Sequence, residues 1–282
     1  MITSGRVNTE ADELYYEVYG DGQPLLMIPG GGGDSSLYSL VADILSDEYK
    51  VITYDRRANS RSTGNHPQNF DINQQSRDAV AVLGAAGETS AFVFGNSSGA
   101  VIALDMAKTQ SQATRAVVAH EPPTTRVHPR ARQWQHFFAS VYWTAFRFGT
   151  PLAMVRFVFG VGLPIRQMIA SSSRISKTGR GNRPDLDPRP EETCEFFIKQ
   201  ELLPVTNYVP DIELINKNGV KVFMAAGKMS LRKKRFYAET APILANLLDC
   251  EMVVFPGHHV SYLDMPQAWA TVLRHILQRA TG

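Results

Sequence analysis

Short apolar runs recur along the chain at ELYYEVYG (13–20), PLLMIPG (24–30), YKVITYD (49–55), TSAFVFG (89–95), TRAVVAHE (114–121), VKVFMAAG (220–227) and EMVVFPG (251–257). Each is bounded by turn residues, and helical patterns fall between most of them. Continuous apolar strands alternating with helices predict an α/β fold with a mainly parallel sheet covered on both faces. In such sheets the loops at the strand C-termini are the ones available for chemistry.

The alternation stops between residues 124 and 205, where RQWQHFFASVYWTAFRFGTPLAMVRFVFG is helical and aromatic-rich and no strand is visible. This predicts a helical cap over 124–205 inserted into a core made of 1–123 and 206–282. Within the cap, SSSRISKTGRGNRPDLDPRP (171–190) is polar, basic and rich in Gly and Pro, the composition of a mobile loop. A length of 282 residues, 44% hydrophobic and 20% charged, suits one large domain carrying such an insertion.

Charge narrows the partners. A formal net charge of +2 is too weak a basic bias for a nucleic-acid footprint, so no nucleic-acid partner is expected. Cys194 and Cys250 are the sole cysteines and read as packing residues, which fits a reducing compartment rather than a disulfide framework or a zinc cluster. The N-terminus MITSGRVNTEADELYYEV has no apolar core of a signal peptide and passes straight into strand-like alternation. PLAMVRFVFGVGLPI (151–165) is interrupted by Arg156, Gly160, Gly162 and Pro164 and is shorter than the roughly 18 to 20 residues of a membrane span. A cytoplasmic protein with no membrane partner is the expectation, and a homodimer is left open.

The stretch FVFGNSSGAVIAL (92–104) changes period at its centre, from strand to helix. Gly95-Asn96-Ser97-Ser98-Gly99 satisfies the G-x-S-x-G turn, in which the central serine is presented above the sheet on a strained backbone. Ser97 is then the candidate nucleophile. The N–H of Ser98, at the start of the following helix, is placed to donate to an oxyanion.

A serine hydroxyl needs a base, most often histidine. Among seven histidines, His258 and His259 stand in the loop after the last strand, from which either could reach back over the sheet. The base in turn needs a carboxylate. The loop after VKVFMAAG reads Lys228-Met229-Ser230-Leu231 and then Arg232-Lys233-Lys234-Arg235, which offers no acid and reads as a solvated basic helix face. TRAVVAHE instead ends at Glu121, followed by Pro122 and Pro123, which stop the chain from continuing as a helix. Glu121 is therefore the candidate orienting acid, with Asp264 a rival. His120 alternates to the other side of the strand and reads as structural. Four consecutive glycines, Gly30 to Gly33, let the backbone approach a ligand, and the N–H of Gly31 is assigned as the second oxyanion donor. The loop lacks the Lys and the spacing of a phosphate-binding P-loop.

With PGGGG (29–33), TYDRRANSRS (53–62), GNSSG (95–99) and PGHHV (256–260) in place, the chain resembles the α/β-hydrolase fold superfamily over nearly its whole length. The resemblance makes the second histidine of GHH, His259, the catalytic one. Ser230 stands where many members carry an Asp. The block His120-Glu121-Pro122-Pro123-Thr124 and Pro256-Gly257-His258-His259 are similar to segments of zearalenone lactone hydrolases, which use a Glu as triad acid. What this implies is a serine hydrolase cleaving a small-molecule ester or lactone through Ser97, His259 and Glu121, with no metal or organic cofactor. Alternatives are a carbon–carbon bond hydrolase of ring-cleavage products, whose elbow often looks like GNS, and a non-catalytic small-ligand receptor. The cap aromatics, Trp134, Phe138 and Trp143 foremost, are expected to face the cleft and favour a bulky apolar or aromatic substrate.

Overall fold

The structure, a computed structural model, describes residues 2–65, 70–168 and 190–281. Its centre is an eight-stranded sheet in the order β1-β2-β4-β3-β5-β6-β7-β8. The strands are β1 (Ile2–Thr9), β2 (Asp12–Tyr19), β3 (Gln23–Ile28), β4 (Tyr49–Tyr54), β5 (Ala91–Asn96), β6 (Thr114–His120), β7 (Lys221–Gly227) and β8 (Glu251–Phe255). β1 and β2 are antiparallel to their neighbours, and β4, β3, β5, β6, β7 and β8 run parallel.

Two-residue alternation splits the buried side chains of the sheet between two cores. Leu26, Ile52, Val93, Val117 and Met224 face one, which also takes α2 (Ile72–Ala85), α3 (Ser98–Thr109) and α10 (Phe236–Leu248). Leu25, Val51, Phe94, Val118 and Phe223 face the other, covered by α1 (Ser39–Leu45) and α11 (Pro266–Thr281) with Trp269 at its centre. Because both faces are covered at the centre of the sheet, the inner parallel strands are largely apolar, which is what the sequence pattern registers.

β1 is the strand that the apolar pattern does not single out. It is an edge strand exposed on much of both faces, and its hairpin turn is made by Glu10 and Ala11, both at positive φ, instead of the usual Asn or Gly.

Among the described residues, the segment between β6 and β7 holds helices and no strand. These are α4 (Ala131–Phe148), α5 (Thr150–Val161), α6 (Pro190–Phe196), a π-helical turn (Phe197–Glu201), α7 (Leu202–Thr206) and α8 (Ile212–Asn218). Gly149, at φ 91°, makes the corner between α4 and α5. The loop read over 171–190 falls, up to residue 189, outside the described residues. No helix among the described residues is long and apolar enough to cross a membrane.

The basic run proves not to be a helix face. α9 (Lys228–Arg232) ends at its first member, and Lys233, Lys234 and Arg235 form the turn into α10, with Lys234 at φ 48°. Cys194 and Cys250 are half-buried free thiols, and burial pushes the Cys250 thiol up to about 11.

Candidate active site

Ser97 sits on the single residue between β5 and α3, at φ 57° and ψ −121°. Such a conformation in a non-glycine residue costs on the order of 1–3 kcal/mol and persists only where the surroundings fix it. Here they do. The Ser97 N–H donates to the His120 carbonyl at 2.9 Å, tying the corner to β6. The two flanking glycines allow the sheet and helix to close: a Cβ on Gly95 would lie 2.1 Å from the Gly99 carbonyl oxygen, and one on Gly99 would lie 2.2 Å from that of Ile28. Ser98 is the first residue of α3, where the leading N–H groups have no intrahelical partner.

Glu121 follows β6 directly, also at positive φ (53°), and is fully buried. Its Oε1 accepts from the Gly227 N–H at 2.9 Å, and its Oε2 accepts from His259 Nδ1 at 2.5 Å. Burial pushes the Glu121 carboxyl upward. The charged forms of His120 and His259, the His259 hydrogen bond and the Gly227 N–H outweigh that and hold it below its ordinary value. Asp264 serves the other histidine: His258 Nε2 donates to Asp264 Oδ2 at 3.0 Å, and His258 Nδ1 accepts from the Val260 N–H at 3.3 Å. The adjacent histidines thus have separate carboxylates. His259 alone of the two lines the cavity that Ser97 lines.

His120 lies on the opposite side of β6. Its Nδ1–H donates to Asn96 Oδ1 at 2.7 Å, and its ring packs edge-on to Phe255. Burial lowers its pKa to about 4 against the pull of Glu121, so it is a neutral, structural imidazole at physiological pH.

The glycine loop lies over the serine corner. A Cβ on Gly30 would come within 3.1 Å of Ser97 Cβ, and one on Gly31 would lie 3.0 Å from Ser98 Oγ and 2.3 Å from the Phe197 ring. The Gly30 carbonyl accepts from the Gly33 N–H at 3.1 Å and from Arg56 Nη2 at 2.9 Å. In a trans peptide the C=O and the following N–H point in opposite directions, so the guanidinium that takes the Gly30 carbonyl leaves the Gly31 N–H facing away from it. Arg56 is completely buried, and its Nη2 meets both carboxylate oxygens of Glu201 in the π-helical turn at 2.9 and 3.0 Å. The rest of the loop after β4 is held as firmly. Asp55 takes Arg61 Nε and Nη2 at 2.7 and 2.9 Å and the Ser35 N–H at 3.0 Å.

Ser97, Ser98 and His259 line a narrow, largely apolar cavity of about 30 Å³, walled by Phe138, Phe157, Phe197 and Tyr237. Of the aromatics expected to bind substrate, Phe138 is at the wall. Trp134 stands behind it, stacked on Phe236 at 4.5 Å and outside the lining. Trp143 is 67% exposed and does not reach the cleft, because helical periodicity turns it to the face of α4 opposite Val141 and Ala145. Nor does a cavity this size hold a bulky group while the helices stand as they do. Arg56, Glu201, Phe197 and Tyr237 were not foreseen as site residues. The Arg56 position was visible in YDRR, whereas its partner lies 145 residues away with no local signal. The Tyr237 ring packs on the His259 imidazole at 4.3 Å, and Phe197 closes on Gly31.

Comparison with known proteins agrees with this architecture. The family profile described as alpha/beta hydrolase fold matches residues 23–149. The chain is 27% identical over 284 residues to the uncharacterized hydrolase YraK of Bacillus subtilis, covering 99% of this chain and 97% of that one. It is 33% identical over 114 residues to the zearalenone hydrolase of Cladophialophora bantiana, covering 39% of this chain and 43% of the relative. A thermophilic esterase from Thermogutta terrifontis superposes with a TM-score of 0.72 at 17% identity, covering 99% of both chains. The serine at a strand-to-helix corner, the sheet order and these likenesses lead to one conclusion: the chain has the α/β-hydrolase fold.

Proposed function

We propose that this hydrolase cleaves carboxylic esters or lactones by a serine mechanism, with Ser97 as nucleophile, His259 as base and Glu121 as orienting acid. The observation that carries the reading is the 2.5 Å bond from His259 Nδ1 to Glu121 Oε2, with His259 and Ser97 lining one narrow cavity. Glu121 fixes the tautomer that leaves Nε2 unprotonated and stabilises the imidazolium once formed. His259 Nε2 takes the Ser97 proton as Oγ attacks the carbonyl, and the N–H groups of Gly31 and Ser98 hold the oxyanion. The imidazolium then protonates the leaving alcohol, and water, activated by the same imidazole, releases the acid from the acyl-enzyme. The helices of 124–205 act as the cap that excludes bulk water. The likeness to a zearalenone hydrolase supports a lactone as one substrate type. A receptor without turnover has no need of a buried carboxylate held against the histidine.

The test is covalent labelling with a fluorophosphonate, read by mass spectrometry, alongside hydrolysis of a short-chain ester. A single adduct on Ser97, with neither adduct nor turnover in Ser97→Ala, is the expected result. An intact protein that is neither labelled nor active, or is labelled elsewhere, overturns the reading.

A further inference from the structure

Beside the Ser97 cavity lies a second and far larger one, of about 440 Å³, between the end of α5 and the α9–α10 turn. The two share Leu163 and Tyr237 as a common wall, and the neighbouring histidines line one each. Their sizes divide the labour. A water needs on the order of 10–15 Å³ of such space, so the inner cavity takes the scissile group and little more. Whatever else the substrate carries must lie in the outer cavity, whose volume is that of an ordinary small-molecule site.

The outer cavity has one sign of charge. Arg166, Lys233 and Arg235 line it, and no carboxylate does so among the described residues. Among the described residues none of the three forms an ion pair, in contrast to the buried Arg56 and Arg61, which pair with Glu201 and with Asp55 and Glu17. Glu239, two residues beyond Tyr237 in sequence, is held by His128 and Arg130, and Asp264 is engaged by His258 Nε2. Uncompensated cations around a concave, partly apolar surface focus a positive potential into it and raise the local concentration of anions.

We infer that the outer cavity is a subsite for an anionic group, and that the substrate is a carboxylate-bearing ester or lactone whose free acid end is held by Arg235, Lys233 and Arg166 while its scissile carbonyl enters the cavity at Ser97. This rests on the hydrolase reading above and adds the substrate class to it. The guanidinium of Arg235, half-buried over Gly162, is the anchor, because it offers planar paired donors to a carboxylate in a partly desolvated place.

The experiment compares monoethyl glutarate with ethyl pentanoate, which has a methyl group in place of the carboxylate, by pH-stat hydrolysis. In the unsubstituted enzyme kcat/KM is expected to favour the anionic ester by on the order of tenfold at low salt, less at high salt. In the triple variant Arg166→Gln, Lys233→Gln, Arg235→Gln the ratio falls to about one. Lys233→Glu, an exposed change that leaves the core intact, should lower the ratio by itself. Calorimetric titration of Ser97→Ala with monoethyl glutarate should show saturable binding that Lys233→Glu weakens. Ser97-dependent turnover of both esters with no preference, or a preference the variants do not move, overturns the subsite and leaves the hydrolase reading standing. Binding of the anion to Ser97→Ala without ester turnover by the unsubstituted enzyme overturns the hydrolase reading and keeps the subsite.

Discussion

At the scale of single residues, the two adjacent histidines are separated by what their ring nitrogens hold. His259 gives Nδ1 to Glu121, whereas His258 spends both nitrogens on Asp264 and the Val260 N–H. His259→Ala should therefore be about as damaging as Ser97→Ala in kcat, and His258→Ala far milder, with circular dichroism confirming that both remain folded. Glu121→Gln keeps the shape but not the charge. A loss in kcat of roughly a hundredfold to ten-thousandfold is expected, against a small loss for Asp264→Asn, and the reverse ranking in steady-state kinetics would remove Glu121 from the mechanism. Gly31→Ala tests the donor loop. Its Cβ would stand 2.3 Å from the Phe197 ring, so the loop must shift. Since the shift displaces the proposed oxyanion donor, kcat should fall by on the order of tenfold to a hundredfold with KM little changed. This corner was legible in the sequence because three fixed positions, an apolar strand before and an apolar helix after all describe one local geometry. Glu121 was legible through its place at a strand end before two prolines and the lack of an acid in the loop directly after Gly227.

At the scale of elements, the loop after β4 and the π-helical turn are joined through Arg56 and Glu201, both with fully buried side chains. Breaking such a pair from one side leaves an uncompensated charge in the interior and costs about 3–5 kcal/mol. Glu201→Gln should accordingly lower the denaturant midpoint and also lower kcat, because the freed guanidinium no longer holds the Gly30 carbonyl in place. Exchange of both partners for apolar residues, Arg56→Met with Glu201→Leu, should restore much of the stability but not the kcat. Full recovery of kcat in that pair would show the ion pair to be structural only. None of this was readable beforehand, since a contact across 145 residues has no period to reveal it. The edge strand β1 escaped for the opposite reason: it buries too little to leave an apolar pattern, and its turn lacks glycine.

For the whole molecule, acid stability follows from the neutral imidazole under the site. His120 has its pKa lowered to about 4 by burial, while the unfolded chain takes up the same proton near 6.5. The unfolded state therefore binds more protons between those values, and stability is lost as pH falls through that window, by up to roughly 3 kcal/mol. The depressed Glu121 carboxyl adds a loss of the same sign below its ordinary pKa of 4.5. Urea midpoints measured at pH 7.5 and pH 5 should differ in this direction, and His120→Gln should flatten the difference. A slope that survives the substitution would place the proton uptake elsewhere.

The Arg56–Glu201 link also bears on how such a protein could be rebuilt. Lids on a shared scaffold invite exchange, as though the scaffold supplied the chemistry and the lid only the selectivity. Here the helical segment between β6 and β7 owns half of a buried charge pair whose other half holds the Gly30 carbonyl in the glycine loop. A graft that brings a foreign segment in place of residues 124–205 would carry the selectivity across and leave Arg56 stranded, so it should yield a soluble but sluggish chimaera unless a glutamate is planted where Glu201 now stands.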